Sequence, residues 1–311
     1  MSIILTSLTI AEITSMKALD AIANKILDDH FKERFDQLMI NLSIVGFLIH
    51  VFLVFLHWLH VLPVDLLKGS LLTNPIATLY TPFTFILVFE VYLLIYYLPS
   101  SFTTFVSKQY EIISLIVVRR IFKDVSNATL SLDWFAYDYN IQLLADLVGL
   151  IVLFLIIQQF NRQAKSSPKI GFSERIAPFL RFKRRVSVLL FAAFVGLTIF
   201  SFVKWLLETY WYLTEQISEV TDINWIFYHE FFILLILIEV LVLIVSFKHI
   251  KDYNQLIRNT GFILSTVLIR MSFSAEGLIN IIIIVFGVLF GLVIQAIYNR
   301  GSVVFQEEEE I

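Results

Sequence analysis

The sequence predicts an all-α, polytopic integral membrane protein of about eight transmembrane helices, arranged as two parallel four-helix repeats. Three observations carry that reading. The chain is 58% hydrophobic and 16% charged, with a mean hydropathy of +0.82, well outside the range of soluble globular domains. Its apolar residues fall in runs close to the roughly 20 residues a helix needs to cross a bilayer. A four-segment hydrophobic pattern in residues 38–162 recurs in residues 184–300, and each copy carries an isolated carboxylate in its second segment and an arginine late in its third. Thirty phenylalanines against six prolines and ten glycines make these segments bulky, which points to a stiff bundle. The absence of cysteine excludes disulfides, thiol chemistry and thiolate metal sites.

Residues 1–37 open without a basic n-region or a small-residue cleavage site, so a removable signal peptide is not expected. Residues 8–36 place Leu8, Ala11, Ile13, Met16, Leu19, Ile22 and Ile26 on an apolar stripe against many charges. This predicts an amphipathic cytoplasmic helix lying on the membrane surface or on the bundle. The first repeat, 38–162, contains candidate spans 38–61, 81–98, 104–122 and 141–161. A basic linker at 163–183 follows. The second repeat, 184–300, contains 184–207, 226–247, 255–273 and 277–298, and an acidic tail occupies 301–311.

Orientation follows from the bases. Arg162, Lys165, Lys169, Arg175, Arg181, Lys183, Arg184 and Arg185 cluster between the copies, which predicts a cytoplasmic linker, both termini cytoplasmic and both repeats pointing the same way. That topology puts 17 of the 23 Lys and Arg on the inner side and six on or near the outer. The outer stretch after the fifth segment holds Glu208, Glu215, Glu219 and Asp222 with no base. Both copies place about 20 residues between their first and second segments, read as short interfacial helices, with Trp205, Tyr210, Trp211 and Tyr212 fitting an aromatic belt. Arg181, Lys183, Arg184 and Arg185 adjoin the fifth segment and are expected to meet anionic lipid headgroups.

An ionisable residue inside a membrane is costly, so the duplicated charges are the place to look for function. Helical depth pairs Glu90 with Ser114 and Glu239 with Ser265. Arg119 and Arg270 lie five residues further out and about 140° around the helix from those serines. Asp146 is the matched partner for Arg119 or Arg120, and the second copy has Asn280 in the corresponding region. Two readings stand: internal glue, or a proton or cation site at Glu90 and Glu239 tuned by the arginines. His50, His57 and His60 share a face of the first segment and read as packing and interface hydrogen bonds. Asp28, Asp29, His30 and Glu33 read as a solvated face, so no metal is expected. Phosphate-loop, dinucleotide, HExxH and GxSxG patterns do not occur, which argues against an enzyme, and no cofactor or nucleic acid is implied.

Each copy has a glutamate after an apolar residue (FE or IE), then LLI or LIV, then LIVVR or TVLIR some thirty residues later and a final apolar helix. This combination resembles the PsiE family of small bacterial four-helix membrane proteins. The second copy matches better, with Arg258 and Arg270 in LIRNTGFILSTVLIRM beside Glu239. In the first copy Arg258 has no counterpart, Tyr110 and Glu111 interrupt the pattern, and the spacing is two residues shorter. The copies cover about three quarters of the chain, which therefore looks like a tandem duplication of a PsiE-like module. The resemblance implies a bacterial inner-membrane location and a four-helix fold, but no mechanism. Two functions are compatible with these features. One is an accessory or scaffold protein that binds lipids, partner membrane proteins or further copies of itself. The other is an ion or proton pathway through Glu90 and Glu239.

Overall fold

The computed structural model describes residues 16–59, 78–127, 137–166, 176–213, 223–275 and 277–309. Every regular element among the described residues is a helix. Residues 16–26 form α1. It is followed by α2 (Asp29–Trp58), α3 (Tyr80–Tyr97), α4 (Phe102–Asn127), α5 (Asp138–Lys165), α6 (Ala177–Leu213), α7 (Ile223–Phe247), α8 (Tyr253–Ser272) and α9 (Leu278–Glu309). Each of the eight apolar segments falls on one of α2 to α9. Residues 1–15, His60, the predicted outer stretches, most of the basic linker and Glu276 lie outside the described residues, as do the side chains of Trp205, Tyr210, Tyr212 and the acidic tail.

Among the described residues five helices are long and apolar enough to cross a membrane: α2, α5, Ala177–Glu208 of α6, Glu230–Phe247 of α7 and Leu278–Gly301 of α9. α3 supplies the shorter apolar stretch Thr81–Tyr97. α4 and α8 are too polar to qualify, and their position explains why. α4 lies against α3, α5 and α8, and α8 lies against α7, α9 and α4. Half of α8 is buried, including Arg258, Asn259, Ser265, Thr266, Arg270 and Ser272. A helix walled by other helices holds polar groups that a lipid-facing helix cannot. α2 is the opposite case: 11% of its apolar window is buried, and Leu48, Phe52 and Phe55 face outward.

The order of neighbours is the same in both halves. In the first, α2 packs on α3, α3 on α4 and α4 on α5; in the second, α6 packs on α7, α7 on α8 and α8 on α9. The halves meet where α4 packs on α8 and α5 on α9, and α3 touches α6. Small residues set the closest approaches despite the bulky composition, since a backbone without Cβ lets helices draw together. A Cβ at Gly149 of α5 would run into Ile281 of α9, and one at Gly287 would meet Ile269 of α8 at 2.7 Å. The tight turns are locally encoded. Ser101 Oγ accepts the Thr104 N–H at 3.1 Å to cap α4, and Asp252 Oδ1 accepts the Asn254 N–H at 2.9 Å to cap α8. Gly277 enters α9 with φ 66°, a conformation that glycine adopts without penalty.

Candidate functional site

On α8, Thr266 and Arg270 are four residues apart and so share a helix face. α7 sets Glu239 against that face, fully buried. Arg270 Nη2 donates to Glu239 Oε1 at 2.5 Å and its Nη1 donates to Oε2. Thr266 Oγ1 donates to Oε2 at 2.9 Å. Gln109 of α4 completes the set: its Nε2 donates to Glu239 Oε1 at 2.5 Å, and its Oε1 accepts from Arg270 Nη2 at 3.0 Å. All four side chains are buried. Removing such charges from water is costly and is offset only by good geometry with further hydrogen bonds, which this network supplies.

The depth-based pairing of Glu239 with Ser265 is corrected by this geometry. Ser265 faces another side of α8, where its hydroxyl bonds Tyr110 Oη at 2.6 Å and donates to the Gly287 carbonyl at 2.6 Å. Tyr110 occupies the space that Gly291 leaves by lacking a Cβ. The two residues that interrupt the repeat pattern are therefore built into the packing. Tyr110 enters the second half, and Glu111 accepts from Lys108 at 2.7 Å and from Asn161 of α5 at 3.1 Å.

A second ion pair lies further along α4, with Asp146 buried and Arg120 partly exposed. Asp146 is engaged by Arg120, while Arg119 is one residue out of phase. Arg120 Nε donates to Asp146 Oδ2 at 2.6 Å and Nη2 to Oδ1 at 2.7 Å, while Nη1 reaches Asn280 Oδ1 in the second half. Gln142 Nε2 adds a bond to Asp146 Oδ1 at 3.1 Å.

Glu90 differs. It is 2% exposed, yet neither carboxylate oxygen has a hydrogen-bond partner among the described residues. Ser114, its predicted partner, donates instead to the Glu111 carbonyl of its own helix at 2.7 Å. One turn before Arg119 stands Leu115, 46% exposed. Thr266, one turn before Arg270 on α8, is buried.

The predicted headgroup cluster at the start of α6 divides. Lys183 is 1% exposed, donates to the Ser100 carbonyl and lies 5.0 Å from the Phe102 ring. Its ammonium is committed inside the bundle, which corrects its assignment to the headgroups. Arg185 instead forms a two-bond pair with Asp20 of α1, both bonds 2.9 Å, and Arg184 Nη2 donates to Asn24 Oδ1 at 2.7 Å. The hydrogen bond from Arg185, reinforced by the charges of Arg185, Arg181 and Arg184, holds the Asp20 carboxyl below its ordinary range. Further along, Phe247, Leu256, Ile257, Thr260, Gly261 and Ile294 line an apolar groove of about 420 Å³. His50 Nδ1 bonds Thr81 Oγ1 at 2.5 Å. Among the described residues no three His, Asp or Glu side chains gather as a metal would require.

Sequence reasoning missed Gln109, Thr266 and Asp20. The spacing of Thr266 to Arg270 was a usable signal, whereas Gln109 and Asp20 reach their partners only through tertiary packing. Comparison with models of known protein families, with curated proteins and with solved structures gives no match.

Proposed function

We propose that this protein is an accessory or scaffold protein of the bacterial inner membrane that binds lipids or partner membrane proteins and catalyses no reaction. It is a tandem duplication of a PsiE-like module, crossing the bilayer about eight times with both termini cytoplasmic. The observation that carries this reading is where the partnered charges go. Gln109 of the first half completes the Glu239–Arg270 pair of the second, and Asn280 of the second half completes the Arg120–Asp146 pair of the first. The buried charges are spent on tying the halves into one rigid body. The shared neighbour order of the halves supports the duplication. The apolar groove beside Phe247, Leu256 and Ile294 supports lipid as a ligand. Cysteines replacing Ser166 and Ser218 should label from opposite sides of the membrane, since this topology puts them in the inner and outer loops.

A second reading, a proton or cation pathway, is favoured by Glu90, which those ties do not include. Reconstituted vesicles separate the two. The scaffold reading expects no proton or cation flux above empty liposomes across a range of pH. A flux that Glu90→Gln abolishes while the protein stays folded would replace it with the pathway.

A further inference from the structure

Glu90 sits among the buried apolar side chains Leu87, Val91 and Leu94 of its own helix. Three helices pack on α3, and each brings a titratable group toward it. His50 of α2 is engaged with Thr81, nine residues before Glu90. Lys183 of α6 is engaged with the Ser100 carbonyl, ten residues after it. Arg119 of α4 makes no hydrogen bond to Glu90. Within α3 itself, Tyr92 donates its hydroxyl to the Ile26 carbonyl at 2.9 Å, and Tyr96 is bound to Asp29.

The contrast with Glu239 fixes the chemistry. A carboxylate there replaces its lost water with four donor bonds. An ionised Glu90 would replace its water with none. Leaving a charge buried without donors costs several kcal/mol or more, whereas a neutral acid asks much less of its surroundings. Glutamate and arginine are present in both halves, but α4 has Leu115, which cannot donate a hydrogen bond, where α8 has Thr266.

We propose that Glu90 is a proton-binding site, carrying a proton in the resting bundle. The ligand is a single proton, taken up when the carboxylate becomes a carboxylic acid and returned to water on release. The site goes beyond a scaffold function and does not depend on it, since a bound proton is detectable whether or not any proton crosses the membrane.

Infrared difference spectroscopy on the full chain in lipid, comparing H2O with D2O, tests this directly. Wild type at neutral pH should show the C=O stretch of a protonated carboxylic acid. Glu90→Gln should remove the band and Glu239→Gln should leave it. If Glu90→Gln does not fold, Glu90→Asp carries the test by moving the band without abolishing it. Absence of an acid band in wild type, an unchanged band in folded Glu90→Gln or Glu90→Asp, or loss of the band in Glu239→Gln would each overturn the proposal.

Discussion

Glu239 and Glu90 occupy matching places on matching helices, each followed by an arginine on the next, yet their surroundings are opposite. Glu239 receives bonds from Arg270, Thr266 and Gln109, while Glu90 receives none. The difference comes from the neighbours and not from the charged pair. Thr266, one turn from Arg270, is buried and donates to the carboxylate, whereas Leu115, one turn from Arg119, is exposed and has no group to donate. Gln109 crosses from the first half to serve the second, and Glu90 receives no bond in return. A repeated charge in a membrane protein is therefore not a repeated site. What each copy does with its carboxylate depends on the donors that the fold delivers to it.

The largest effect that would break this comparison is at the arginines. Arg270→Met leaves Glu239 buried without its counter-charge and should destabilise the protein by about 3–5 kcal/mol, whereas Arg119→Met should cost less than about 1 kcal/mol. Denaturant or thermal unfolding in detergent measures both. Comparable losses would mean that the two carboxylates are paired alike. Next come the glutamates themselves. Glu239→Gln strands a buried guanidinium and should cost about 2–3 kcal/mol, while Glu90→Gln replaces a neutral acid by a neutral amide and should change stability by less than about 1 kcal/mol.

The contact between halves offers a smaller test. Gly291→Ala forces Tyr110 out of its seat and should cost about 1–3 kcal/mol. Gly196→Ala, which meets nothing within 4 Å, should be neutral or slightly stabilising by about 0.5–1 kcal/mol from helix propensity. Equal effects at the two glycines would remove Tyr110 as a tie between the halves.

Much of the architecture was legible because it rests on local pattern. Apolar runs of helical length, the repeat of Glu90 and Glu239, and a cap such as Asp252 can be read from neighbouring residues alone. The pairings were less legible. Depth along a helix suggested Ser265 for Glu239, but rotation about α8 decides the partner, and Thr266 has the right phase. The same one-residue question separates Arg120 from Arg119 at Asp146. Lys183 looked like a headgroup ligand because it lies in a basic run, and only the packing of Phe102 and Phe179 around it shows that it points inward. The spans at 104–122 and 255–273 were legible despite their charges. α4 and α8 carry charges that a lipid-facing span could not, and they carry them because other helices surround them.

The smallest expected effect is at the contact between α1 and α6. Asp20→Asn should cost no more than about 0.2–1 kcal/mol, because the pair with Arg185 is exposed and screened. The sign with pH follows from the lowered Asp20 value. The contribution is present above the ordinary aspartate value of 3.8 and is lost as pH falls through the lower folded value. Unfolding of the variant and of wild type should therefore converge in acid. A gap that persists there would mean that Asp20 stabilises α1 by something other than its charge.

Paired double-mutant cycles at neutral pH test the inequality of the two carboxylates most directly. One cycle combines Glu239→Gln with Arg270→Met, and the other combines Glu90→Gln with Arg119→Met, with unfolding free energy as the readout. The account predicts a coupling of about 2–3 kcal/mol between Glu239 and Arg270, and a coupling within about 0.5 kcal/mol of zero between Glu90 and Arg119. Equal couplings, or a larger one at Glu90, would contradict it.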